Sequence, residues 1–237
     1  MDSPVKKTTI ITGYSCNNRC LFCIYSDRHG IPDKSTDLIV KEMFAARKRG
    51  NTCLVFVGGE FFIRDDAAFL ISKARKLGFS EVVAATNGRM FAYKEFAKKI
   101  LRSGITQIFF SLHGHTSKVH DSLTQVPGSF NQQIEGIKNV NSLGFKKIGS
   151  HTTIVELNYR FMSQIAKLLI ALNVKSLDFV FVDPNYGGAY NSFSTLVPRI
   201  SSVEPFAKKC LNFLKKCPTE HFGIRYLPVC RLRGFEN

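Results

Sequence analysis

The sequence predicts an α/β chain: six strand–helix units around a parallel sheet. Three observations carry this. Short apolar runs alternate with amphipathic segments along nearly all of the 237 residues. Three of the helical segments end alike, in "ARKRG" (46–50), "ARKLG" (74–78) and "KKILRSG" (98–104). Lys and Arg in a last turn complement the helix dipole, and the following glycine closes the helix. The residues able to do chemistry fall just after strands. Strands alternating with amphipathic helices imply parallel pairing through right-handed crossovers, as an open sheet or a curved partial barrel. In both, ligands gather at the C-terminal ends of the strands.

"TTIITGY" (8–14) reads as the first strand, followed by a helix over Asp37–Arg49 with Thr36 as its cap. "TCLVFV" (52–57) is the second strand, with a helix over Asp65–Leu77. "EVVAAT" (81–86) is the third, with a helix over Phe91–Ser103. "ITQIFFSLH" (105–113) is the fourth, before a helix over Ser129–Leu143 with Phe130, Ile134, Ile137 and Val140 on one face. "KIGSHTTIV" (147–155) precedes a helix over Arg160–Leu172, and "SLDFVFVD" (176–183) precedes one over Val203–Lys216. "HFGIRYLPVCRLRGFEN" adds a short strand and a tail. The expected division is a core domain over 1–222 and a strand or tail over 223–237.

Hydrophobic residues make up 44% and charged residues 22% of the chain, an ordinary globular balance with enough length for one good core. No secretory h-region and no membrane-length apolar run is present, so a cytoplasmic location is expected and no membrane partner. Seven cysteines favour reduced thiols over a disulfide framework. The net charge of +15 raises nucleic acid as a partner. It is not favoured, because much of that charge closes helices at the rim opposite the expected site. The same charge suits docking of an acidic electron donor.

The distinctive stretch is "GYSCNNRCLFCIYS" (13–26), where Cys16, Cys20 and Cys23 are spaced C-x3-C-x2-C. Thiolates this close suit a soft metal or an iron–sulfur cluster. Zinc needs a fourth ligand, for which His29 is nearest. A cluster can leave one iron without a protein ligand, open to a cofactor.

Together with "GGE" (58–60) after the second strand and the register of the later motifs, this loop resembles the radical S-adenosylmethionine (SAM) superfamily, over about residues 8–200. The resemblance implies a (β/α)6 partial TIM barrel of parallel strands. It implies a 4Fe-4S cluster on Cys16, Cys20 and Cys23, with SAM on the fourth iron. Reductive cleavage of SAM would give a 5′-deoxyadenosyl radical that removes a hydrogen atom from a substrate.

The family pattern assigns cofactor contacts to Phe22, before the third cysteine, and to Gly58, Gly59 and Glu60, where glycine lets backbone approach a ligand. Phe61 stands where the family has proline. It also implies SAM contacts at Thr86 and Asn87 of "TNG", at Ser111, at Asn158 after the fifth strand, and at Val182 before the "DPNYGGA" loop. "SLHGHTSKVHDSLTQVPGSF" resembles a stretch in which His113 replaces the usual aspartate, and makes His113 the candidate for substrate contact or proton transfer.

Taken one at a time, these residues have plainer readings: a core phenylalanine at 22, turns at "GGE" and "TNG", and solvated histidines at 113, 115 and 120. Cys53 reads as structural. Cys210, Cys217 and Cys230 are candidates for an auxiliary cluster. A peptide or small metabolite is the leading substrate expectation, and a nucleoside or tRNA the alternative. A flavodoxin or ferredoxin is the expected donor, and a zinc-stabilised RNA-binding module the competing non-enzymatic reading.

Overall fold

A computed structural model describes residues 6–235. Its seven strands are β1 (Lys7–Ile11), β2 (Cys53–Val57), β3 (Glu81–Thr86), β4 (Gln107–Phe110), β5 (Ile148–Ile154), β6 (Ser176–Phe181) and β7 (His221–Arg225). They lie side by side in chain order in one sheet, every pairing parallel. The helices are α1 (Thr36–Lys48), α2 (Ala67–Lys76), α3 (Lys94–Arg102), α4 (Ser117–Thr124), α5 (Ser129–Ser142), α6 (Met162–Ala171), α7 (Gly187–Asn191), α8 (Phe193–Leu196) and α9 (Ile200–Leu214). A strand order that always advances by one, joined by right-handed crossovers, brings the crossover helices to one face. This is the open, curved β/α architecture of a partial TIM barrel.

Strand side chains therefore divide sharply. Toward the helices point Leu54, Phe56, Val82, Ala84, Ile108, Phe110, Leu177 and Phe179, all at most 1% exposed. The opposite, inner face carries Val55, Val57, Ala85, Phe109, His151, Thr153 and Val180, all half-buried. Ile137 and Val140 of α5 are fully buried, and Phe130 and Ile134 pack against the same core.

The basic helix ends act locally. Arg47 donates from Nε to the Leu77 carbonyl at 3.1 Å and from Nη1 to that of Asn51. Arg75 donates to the carbonyls of Phe79 and Ser80 at 2.7 and 2.6 Å. Much of this charge serves chain ends at the rim opposite the cysteine loop.

Several expected elements shift. The α1 cap is Ser35, whose Oγ accepts from the Leu38 N–H at 3.3 Å, while the Thr36 hydroxyl donates to Asp66 at 2.6 Å. β1 stops at Ile11 and β4 at Phe110, leaving the residues beyond free to form site loops. A one-turn 3-10 segment (Arg89–Ala92) occupies the expected start of α3.

The sequence reading did not anticipate α4, α7 and α8, which are too short to show a periodic stripe. β7 pairs in parallel with β6, and the expected boundary after residue 222 falls inside it. No described helix is long and apolar enough to cross a membrane.

Candidate active site

The cysteine loop leaves β1 and is fixed from several sides. Asp33 Oδ1 accepts from the N–H groups of Tyr14 and Ser15 at 2.7 and 3.0 Å. These bonds hold its carboxyl below the ordinary range despite the opposing effect of burial. The N–H groups of Arg19 and Leu21 donate to the carbonyls of Thr124 and Leu123 in α4, both at 2.9 Å. Arg89 reaches the Asn17 carbonyl, Asn18 Oδ1 and Gln132 Oε1. The loop is thus built into the scaffold before any ligand is considered.

The "GGE" turn after β2 packs directly beneath it. The N–H of Gly59 donates to the Gly13 carbonyl at 2.9 Å, and that of Glu60 to the Ser15 carbonyl at 2.8 Å. A Cβ on Gly59 would lie 2.1 Å from the Ser15 oxygen, and one on Gly58 2.3 Å from the Gly13 oxygen. In this structure the glycines admit the cysteine-loop backbone itself, a closer demand than approach to a ligand.

Glu60 is buried and anchors the strand ends. Oε1 accepts from the Phe62 N–H (3.0 Å) and the Thr86 hydroxyl (2.8 Å), and Oε2 from the Asn87 N–H (2.6 Å). Burial pushes its pKa up; these hydrogen bonds and Arg89 oppose that. Phe61, in the place of the family's proline, is 1% exposed and stacks on Phe56 at 4.3 Å, so here the turn leads into the core.

These pieces enclose one cavity of about 490 Å³ at the C-terminal strand ends. Its wall includes Cys16, Cys20, Cys23 and Phe22 from the loop, and Gly58, Gly59 and Glu60 from the turn. Thr86, Asn87, Ser111, His113 and Val182 follow from β3, β4 and β6. Burial raises all three thiols, Cys16 to about 11, with the neighbouring cysteines adding to the effect on Cys20. They share a wall and sense one another electrostatically. Serving as ligands requires their deprotonation.

The Asn18 N–H donates to Cys16 Sγ at 3.3 Å and the Tyr25 N–H to Cys23 Sγ at 3.4 Å, contacts that favour thiolate. Three soft thiols on one wall fit an iron–sulfur cluster, and His29 lies on the same wall.

His113 is 5% exposed, and its ring meets Phe22 edge-on at 4.7 Å. Its Nδ1 accepts from the Thr153 N–H at 3.2 Å, which puts the proton of the neutral ring on Nε2. Burial, with His120 and His151, pushes its pKa well down, so it is a neutral donor at pH 7.

Asn158 departs from expectation. It is 1% exposed and lies outside the cavity wall. Its Nδ2 donates to the carbonyls of His113 and Thr153 at 2.9 and 2.8 Å, and its Oδ1 accepts from the Val155 N–H at 2.9 Å. With its amide so engaged it shapes the site from behind, and a direct cofactor contact is not what the structure shows. Thr86 is similarly committed to Glu60 and the Gly88 N–H, though it does reach the wall.

The three histidines do not form a metal site. His120 Nδ1 accepts from the His113 N–H, whereas His115 lies against Phe161. The "HD…GSF" stretch is a structural clasp: Asp121 accepts from the Gly128 N–H, the Ser129 hydroxyl and the Phe130 N–H, each at 2.8 Å, closing the start of α5. Of the candidates for an auxiliary cluster, Cys210 on α9 is fully buried, Cys217 is half-buried and Cys230 is exposed in a one-turn segment.

Sequence reasoning missed Asn18, Tyr25, Thr153, Val180 and Tyr226 on the cavity wall, while Asp183 opens the "DPNYGGA" loop already expected there. Alternation along β5 and β6 could have found Thr153 and Val180.

Comparisons with known proteins agree with this geometry. The family model "Radical SAM superfamily" matches residues 10–169, more than half the chain. A curated protein of Saccharolobus solfataricus named "Probable GTP 3′,8-cyclase" is 26% identical over 229 residues, 94% of this chain and 71% of that one. SuiB of Streptococcus suis bound to S-adenosylmethionine superposes with a TM-score of 0.77 at 16% identity, over 93% of this chain and 50% of that chain. The solved anSMEcpe with bound AdoMet and Cp18Cys peptide superposes with a TM-score of 0.73 at 18% identity, over 94% and 64%. The chain thus spans about half to two thirds of those two solved chains. The region matched by the family model contains the three cysteines, the "GGE" turn and the ends of β1 to β5, and the chain belongs to the radical SAM superfamily.

Proposed function

We propose that this chain reductively cleaves SAM and directs the resulting radical at a C–H bond of a small phosphate-bearing molecule of the nucleotide class. The carrying observation is that three loop thiols, the "GGE" turn and His113 line one cavity. When bound, the cluster and SAM supply one electron and a 5′-deoxyadenosyl radical. Cys16, Cys20 and Cys23 hold the cluster. The backbone of Gly58–Glu60, fixed by the Glu60 carboxylate, cradles the amino acid end of SAM. Phe22 and Val182 give apolar walls, Ser111 and Asn87 offer hydrogen bonds, and neutral His113 offers an Nε2–H donor. Such a wall positions reacting atoms and excludes water.

The nucleotide class is supported by the curated relatives, whose printed name is a GTP cyclase. A second reading, a peptide substrate, is favoured by exposed apolar side chains near the cavity: Ile24 and Tyr226 on its wall, and Tyr186, Tyr190 and Phe193 along the chain that packs on the cysteine loop at Gly187.

Anaerobic reconstitution followed by SAM and reductant tests the core of this reading. 5′-Deoxyadenosine and methionine are expected from the native chain and none from the Cys16→Ala, Cys20→Ala, Cys23→Ala triple variant. Deoxyadenosine from that variant would overturn it. Deuterium passing from labelled GTP into deoxyadenosine would support the nucleotide class; its absence, with transfer from a peptide instead, would favour the second reading.

A further inference from the structure

We infer that a polar cluster deeper on the inner face, Arg225 with His151, His221 and Asp178, anchors a phosphate group of the substrate one pleat below the SAM cavity. This rests on the proposed function, in that the substrate enters the inner face.

Asp178 lies in the middle of β6 with its side chain 1% exposed. Its carboxylate receives Arg225 Nε at 3.2 Å and Nη2 at 2.6 Å, a bidentate pair. His221 Nε2 lies 3.3 Å from Oδ1 and His151 Nε2 3.5 Å from Oδ2. These contacts hold the carboxyl below its ordinary range despite burial.

Register ties the cluster to the cavity. His151 pairs with Asp178, and Asp178 with Gly223. Two residues further along, Thr153 pairs with Val180, and both line the cavity. Two strand residues span about 6.6 Å. Tyr226, next to Arg225, lines the cavity as well. Above His151 and Asp178 on the same face is therefore the space assigned to SAM.

The chemistry favours an anion. A buried aspartate in a central parallel strand is expensive unless paired, and an apolar residue there would hold β6 to β7 at less cost. What the carboxylate adds is orientation. It engages Nε and Nη2 of Arg225 and leaves Nη1 without a partner among the described residues, on a side chain 51% exposed. It also fixes two imidazoles, 32% and 58% exposed, beside that guanidinium. Three nitrogen groups share one carboxylate. Guanidinium N–H pairs match phosphate geometry. The Phe109 ring, stacked on His151 at 4.4 Å and 13°, walls the other side, and a Cβ on Gly149 would lie 2.4 Å from it. Asp178 is a positioning residue here, Arg225 makes the contact through Nη1, and His221 and His151 flank it.

The test is calorimetric titration of the reconstituted, SAM-loaded protein, without reductant, with pyrophosphate, GTP, guanosine and citrate. The variants are Arg225→Gln, His221→Asn and, as a control of equal charge change at the opposite rim, Lys147→Gln. Circular dichroism and SAM affinity report folding of each. Saturable pyrophosphate and GTP binding is expected, weakened at least about tenfold by Arg225→Gln and less by His221→Asn, and unaltered by Lys147→Gln. Guanosine is expected to bind more weakly than GTP. No saturable binding, equal loss in Lys147→Gln, or citrate binding tighter than pyrophosphate would overturn the anchor. Deoxyadenosine formation is read separately: intact SAM cleavage without phosphate binding rejects the anchor alone, and absent cleavage rejects the proposed function.

Discussion

The two faces of the sheet are built from the same strands and differ in almost every other respect. The outer face is apolar and sealed by helices: Leu54, Phe56, Ile108, Phe110 and Leu177 are all fully buried. The inner face is mixed and half-open, running from Asp178 and His151 through Thr153 and Val180 to Ser111 and His113. Parallel sheets are normally covered on both faces. Leaving one face without helices removes burial energy and makes room for ligands. One face therefore supplies stability, and the other supplies chemistry.

Substitution separates the two roles. Phe56→Ala removes a fully buried ring from the outer face and is expected to cost about 3–5 kcal/mol in a denaturant unfolding experiment. Phe109→Ala, on the half-buried inner face, is expected to cost roughly half of that or less. Equal losses would break the distinction.

Gly59→Ala acts at the seam between the faces. Its methyl would lie 2.1 Å from the Ser15 carbonyl oxygen, so the cysteine loop must move. Overpacking of this kind costs about 1–3 kcal/mol. The stability loss is expected to be smaller than for Phe56→Ala, yet iron content after reconstitution should fall several-fold. Full iron loading in Gly59→Ala would show that the turn does not hold the loop.

The order of strands and helices was legible because outer-face residues recur with helical and strand periods, and because "ARKRG" and its counterparts mark helix ends. α4, α7 and α8 were not legible, since one or two turns carry no periodic signal. At the site, the cysteines could be read from spacing alone, and Gly58–Glu60 from their place after β2. Asn158 could not: its position after β5 suggested a ligand contact, but three hydrogen bonds to backbone, formed only in the folded chain, engage its amide. His113 reads in the sequence as a candidate for substrate contact or proton transfer, and only the fold shows it buried near His120 and His151, which push its pKa down. The Asp178 cluster is scattered over β5, β6 and β7, and its members meet only through strand register.

Hydrogen exchange of the reconstituted protein with and without SAM tests the division of labour most directly. Added SAM is expected to protect amides in 13–26, 57–60, 86–88, 111–113 and 180–183, the chain that borders the inner-face cavity, and to leave α1, α2 and α3 unchanged. Protection concentrated on those helices or their basic ends, with the cavity segments unaffected, would contradict the account.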